Sequence, residues 1–322
     1  MDAALANLLS PPVLCFLLGL LAGAVRSDLE IPEAVARALA LYLIFSIGFK
    51  GGVELALNGR AEPLLPLLLV AAGLSLLLPL PAFGLLRLLT RVSRVDAGAI
   101  AAHYGSVSIV TYVAATSFLQ VRGIRYEGFM AAVVAVMETP AILTGLLLAR
   151  SGESGAIDAR RRRELLHEIL ANGSVVLLLG SFAIGLLTGA EGMRRLEPVV
   201  ASGFQGLLCF FLLDMGLLVA RRFAGFRTMG AGLLLFGLLM PIVGAAAGLL
   251  AGRLVGLSLG GTALLATLSA SASYIAVPAA MRLALPRANP SLSLSLALGI
   301  TFPFNLVLGI PLYVAAAGWL FG

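Results

Sequence analysis

Charge is what this sequence has least of. Asp, Glu, Lys and Arg make up 12% of its 322 residues, and 60% are hydrophobic. A soluble domain carries about twice that share of charge. One soluble core could bury only part of so much apolar material, whereas a bilayer accepts nearly all of it. Cysteine is nearly absent too. Cys15 and Cys209 each sit inside an apolar run, so they offer neither a disulfide framework nor metal-ligand spacing, and they read as small buried hydrophobes. The chain lacks H-E-x-x-H, G-x-S-x-G, a paired intramembrane Asp motif and a nucleotide-binding glycine loop, so it does not read as an enzyme and needs no cofactor. His103, three residues before Ser106, reads as a satisfied core histidine. No basic run is interleaved with aromatics, which argues against nucleic acid despite a pI near 9.9.

What is there is a series of apolar runs, each long enough to span a membrane. They fall at about 11–26, 33–57, 63–89, 95–121, 126–150, 169–190, 198–220, 228–254, 260–285 and 291–320. Met1 to Ser10 has no basic n-region, and no A-x-A-like site closes Pro12 to Val25, so the first run reads as a retained helix. The fold class predicted is an all-α membrane protein of about ten transmembrane helices. The polar stretch 151–168 divides it into two five-helix halves, 1–150 and 169–322. With both termini outside, the inner segments hold fifteen of the 22 Lys and Arg residues and the outer segments seven. That asymmetry predicts the orientation in a bacterial inner membrane. The run Arg160 to Arg163 fits the same rule beside anionic lipid.

Five helices per half force the second half to enter the membrane from the opposite side, the arrangement of inverted-repeat transporters. Gly98 and Gly261, Ser106 and Ser269, Ser108 and Ser271, and Pro140 and Pro303 are each 163 positions apart. Within the paired segments an apolar span is interrupted by small hydroxyl residues. The first carries Ser106, Ser108 and Thr111; the second carries Ser269, Ser271 and Ser273, followed by Tyr274. Backbone that leaves helical geometry at membrane depth must be buried in protein or line a wet cavity. Two half-helices meeting at such breaks would offer N-terminal N–H groups to a small anion. The run Ser291 to Leu296 has no counterpart in the first half and reads as packing.

Charges within spans are costly and mark function. Glu138, two residues before Pro140, is the first candidate for a coupling-ion ligand or proton carrier, with Asp214 as the second. Lys50 and Glu54, four apart, are expected to pair near the outer end of the second span.

The motifs GSVSIVT, METPA, SASASYIAVPAAMR, LPRANPS and GFKGGVEL make the chain resemble the sodium-dependent bicarbonate permease family, over nearly its whole length. The resemblance implies broken helices 4 and 9 crossing at the substrate site, with a core domain moving against a gate domain. It also implies a trimer and sodium-coupled uptake of bicarbonate, held between the two serine clusters. Glu138 stands where the family usually has Asp. Tyr274 stands where its best-known members carry an acid, and Ile109-Val110 replaces their Gly-Ser. The helix 5–6 loop is shorter than in cyanobacterial members, which gives little support to their signal-protein regulator. The leading expectation is symport of sodium with bicarbonate or a similar monoanion. The alternatives are proton-coupled transport of another small anion or carboxylate, a channel, and a non-transporting sensor on the same fold.

Overall fold

The computed structural model describes residues 9–58, 64–150, 173–221, 229–274 and 276–322. Among these residues there are helices and no strand. The predicted linker 151–168, with Arg160 to Arg163, lies outside the described residues. Among the described residues seven stretches are long and apolar enough to cross a bilayer: Glu33–Leu57, Leu64–Leu89, Arg94–Val121, Met130–Arg150, Val175–Arg221, Ala231–Val255 and Pro290–Phe321. Pro11–Ala24 and Leu259–Ser269 are shorter apolar helices. Many large apolar side chains face outward, Leu88 at 80%, Leu187 at 85% and Trp319 at 92% exposure. A surface of that kind suits lipid and not water.

The first half comprises α1 (Pro11–Ala24), α2 (Glu33–Asn58), α3 (Leu64–Leu77), α4 (Pro79–Leu89), α5 (Arg94–Gly105), α6 (Ile109–Val121), α7 (Met130–Met137) and α8 (Pro140–Arg150). The second comprises α9 (Gly173–Glu197), α10 (Phe204–Arg221), α11 (Ala231–Val255), α12 (Leu259–Ser269), α13 (Ala276–Ala284) and α14 (Pro290–Phe321). Wide π turns at Ala297–Thr301 and Asn305–Gly309 interrupt α14. Val175–Arg221 is 47 residues long. Drawn out straight it would measure about 70 Å, more than twice the hydrocarbon thickness. It kinks at Gly189, whose φ of 51° lies in the left-handed region, and carries a π turn at Pro198–Ser202.

Helix starts are fixed by short polar side chains that satisfy free N–H groups. The Ser93 hydroxyl accepts the Asp96 N–H at 3.0 Å, and the Ser258 hydroxyl accepts the Gly261 N–H at 3.1 Å. Two carboxylates then join these caps across the halves. Asp96 accepts the Asn289 N–H at 2.7 Å, next to the start of α14. Glu127 accepts the Ser258 N–H at 2.7 Å and its hydroxyl at 3.0 Å.

The helices pack in two groups. In one, α1 lies along α10 and α2 along α9, and the free thiols Cys15 and Cys209 meet between α1 and α10. Close approach there relies on glycine. A β-carbon on Gly19 would collide with the Leu213 carbonyl, and one on Gly52 with the Phe182 carbonyl. Small residues at such contacts let backbones approach within the membrane. In the other group, α5 packs on α4 and α8, α12 on α11 and α14, and α3 on α7 and α8. The two groups meet where α2 and α9 touch α7, and where α2 touches α6.

Candidate functional site

Both serine clusters fall at breaks in helices. Between α5 and α6 the chain is extended at Ser106 (ψ 173°) and Ser108 (φ −106°, ψ 112°). Between α12 and α13 it is non-helical at residues 271–273. The two breaks are stitched to each other. The Ser108 N–H donates to the Ser271 hydroxyl at 2.9 Å, and these residues are the pair 163 positions apart. The Ser273 N–H donates to the His103 carbonyl at 2.8 Å. His103, 1% exposed, lies 2.6 Å through Nδ1 from the Ser273 carbonyl. A carbonyl only accepts, so Nδ1 carries the proton.

Most of the predicted hydroxyls are occupied within the protein. Ser106 donates to the Glu138 carbonyl at 2.8 Å. Ser108 accepts the Thr111 N–H at 3.2 Å and caps α6. Ser271 donates to the Leu268 carbonyl at 2.7 Å, while Ser273 accepts the Val277 N–H at 3.5 Å. These bonds hold extended backbone together where no water competes. Thr111 is buried beside them. Ser271→Ala would leave the buried Ser108 N–H without an acceptor, at a cost of about 1–3 kcal/mol. A lowered thermal midpoint in detergent, with Ser291→Ala as the control, checks this.

Two buried groups at or near the breaks keep an unpartnered oxygen, Glu138 Oε2 and the Ser269 hydroxyl, and the Tyr274 hydroxyl is buried with only Ser108 beside it. Glu138 and Tyr274 line one small cavity with Val107, Ser108, Ile109 and Ser273, with a volume of about 10 Å³. That is roughly room for one water-sized occupant. Ser269 does not line it and packs against Gly244 of α11. Asp214 does not line it either. It sits half-buried on α10 among α1 and α2, with Arg221 as its neighbouring charge.

Glu138 is 3% exposed, in the break between α7 and α8. Ser75, which the sequence reading passed over, secures that break. Its hydroxyl donates to the Met137 carbonyl at 2.7 Å and accepts the Ala141 N–H at 3.1 Å. Asn305 does the same beside the break between α12 and α13. It donates to the Ala270 carbonyl at 2.9 Å and accepts from the Tyr313 hydroxyl at 2.8 Å. Thr301 donates to the Gly237 carbonyl at 2.8 Å and lies 2.6 Å from the Tyr104 hydroxyl. The signal for all three was a polar residue in an apolar span.

The expected Lys50–Glu54 ion pair is a correction. Among the described residues no ion pair joins them. The Lys50 ammonium lies 4.3 Å above the centre of the Phe204 ring, and both side chains line a second cavity. An aromatic face on another helix competes with a carboxylate one turn away because it attracts the cation without holding two flexible chains together.

The Na+-dependent bicarbonate transporter superfamily model matches residues 11–318. The chain belongs to that superfamily. It is a multi-pass membrane protein, and sodium-dependent bicarbonate transport is the family's activity. Curated proteins give no match. For a transporter of this superfamily the chemistry of the crossing is pertinent. Among the described residues no three His, Cys, Asp or Glu side chains converge. A hard cation needs no such cluster, since hydroxyls and carbonyls serve beside one carboxylate.

Proposed function

We propose that this protein is a secondary active transporter that moves bicarbonate or a similar small monoanion together with sodium. The carrying observation is the Glu138 carboxylate, buried with one oxygen unpartnered in a cavity at the crossing of two broken helices. A carboxylate in that position needs a cation or a proton. Sodium fits the space and the oxygens, with Glu138, the Tyr274 hydroxyl and the Ser108 and Ser273 groups around it. The N-terminal ends of α6 and α13 converge on the same place and favour an anion nearby.

We also propose the ten-span inverted repeat, with both termini outside, and a homotrimer as the resemblance implies. The 47-residue Val175–Arg221 has the length for two spans, and each broken helix traverses as one. Ser108 and Ser271 touch at the 163-residue offset, as equivalent residues must near a two-fold axis. At the same offset Glu138 corresponds to Thr301, so the carboxylate belongs to one repeat only. The α1–α10 and α2–α9 pairs form the scaffold in this reading, and the crossing group travels against it as an elevator.

The test is uptake of radiolabelled bicarbonate by proteoliposomes. An inward sodium gradient is expected to stimulate saturable uptake at least about tenfold over a sodium-free control. A proton gradient that drives uptake while sodium does not would transfer the coupling role of Glu138 to a proton, the reading that Tyr274 in place of an acid favours. No uptake under either gradient would refute the assignment.

A further inference from the structure

Polar side chains continue along α6 beyond the cavity at the crossing. A second polar cavity lies along α6. Ser108 caps that helix, and Tyr112, Thr116 and Gln120 follow at successive steps of four residues, each about 6 Å further along the axis. These three line a space of about 20 Å³ opposite Lys50 and Glu54 of α2, between the two helix groups. Tyr126 completes the wall, its hydroxyl accepting from the Gln120 amide at 3.4 Å.

The charges there are unusual. Lys50 is one of the few cations within a span, and among the described residues it contacts no carboxylate, only the Phe204 ring. A cation–π contact is weak enough to be exchanged for an anion. Glu54 lies one turn on, with its carboxylate packed against Gly128. Glu127 is the next acidic group, and it is already committed to Ser258.

We infer that Lys50 and Glu54 form a second anion site that reads a monoanion still carrying a hydroxyl. It rests on the transport reading above. The ammonium and the phenolic and amide donors meet the negative oxygens, the Thr116 hydroxyl being committed to the Val113 carbonyl at 2.9 Å, and the Glu54 carboxylate accepts the anion's own O–H. Bicarbonate satisfies both halves. Nitrate and formate have no O–H to give and would set their lone pairs against those of Glu54. An unmatched polar group is a strong basis for rejection. The site thus lies beside the substrate's route and selects by the proton as well as by the charge.

Lys50→Gln and Glu54→Gln separate these roles in proteoliposomes carrying labelled bicarbonate. Lys50→Gln is expected to raise the bicarbonate KM at least about tenfold and leave the sodium concentration for half-maximal uptake unchanged. Glu54→Gln is expected to let nitrate and formate compete at least about tenfold better. Sodium-induced thermal stabilisation without bicarbonate shows that each variant folds and keeps its ion site. If Lys50→Gln does not fold, the competition profile of Glu54→Gln decides alone. Wild-type KM and competition in the folded variants would overturn the inference and leave the transporter assignment intact. Absence of bicarbonate uptake by the wild type would overturn both.

Discussion

Glu138→Gln is expected to abolish sodium-stimulated bicarbonate uptake while leaving the protein folded. Glutamine keeps the shape of the side chain and fills the same space, so the lining of Val107, Ile109 and Ser273 stays in contact. Ser106 donates to the backbone carbonyl of residue 138 and not to its side chain, so the break between α7 and α8 survives the change. The loss is the negative charge that faces the cavity. Interactions with a charged group are worth up to about 3 kcal/mol, roughly a hundredfold in affinity, and a buried cation without a counter-charge is costlier still. Sodium at ordinary concentrations would then not occupy the site. Uptake at a fixed sodium gradient should fall about a hundredfold, and the sodium-induced rise in thermal midpoint should vanish. A Gln variant that retains both would show that Glu138 carries no coupling ion.

Tyr274 decides how closely that site follows the resemblance. Its ring packs edge-on to Phe302 at 5.9 Å between centroids, and its hydroxyl is buried beside Ser108. A phenol supplies a neutral oxygen where an acid would supply a second charge. One carboxylate with one neutral phenol balances a single sodium ion. Tyr274 in place of an acid is therefore compatible with one monovalent cation at the crossing.

The breaks themselves were legible in sequence because small hydroxyl residues interrupt otherwise apolar runs, and the 163-residue offset pairs them. The fate of each hydroxyl was not legible. Whether Ser108 faces a ligand or caps α6 depends on where the chain turns, and Ser271 finds its donor 163 residues away. Lys50 shows the same limit. A four-residue spacing says that a contact with Glu54 is possible, but the Phe204 ring that takes its place is set by tertiary packing. Asp214 and Glu138 look alike as acidic residues in apolar spans. Only the fold separates them, one on a helix of the α1–α10 pair and the other at the crossing. Ser75 and Asn305 were missed because a single polar residue carries no pattern, and their role is defined by the carbonyls of breaks elsewhere in the chain.

Gly185→Leu is expected to prevent assembly of the fold, and Gly180→Leu, on the same helix, to have little effect. A β-carbon on Gly185 would collide with the Phe49 carbonyl and crowd the Val53 nitrogen, whereas one on Gly180 meets nothing within 4 Å. The obstacle at Gly185 is backbone, which cannot swing aside as a side chain can, so α9 would have to leave α2. Overpacking typically costs 1–3 kcal/mol and more where the neighbours cannot yield. Here the substitution forfeits contact along α2 as well. Size-exclusion chromatography of the detergent-solubilised protein should show a sharp peak for wild type and Gly180→Leu, and aggregate or no protein for Gly185→Leu. The comparison also bears on transport. If α2 and α9 form half of a scaffold against which the crossing group travels, their interface must stay closed throughout the cycle. A disulfide engineered across α2 and α9 would then leave uptake intact, whereas one joining α2 to α6 would arrest it. Uptake arrested by both would mean that the α2–α9 interface itself moves, and the division into scaffold and travelling group would be wrong.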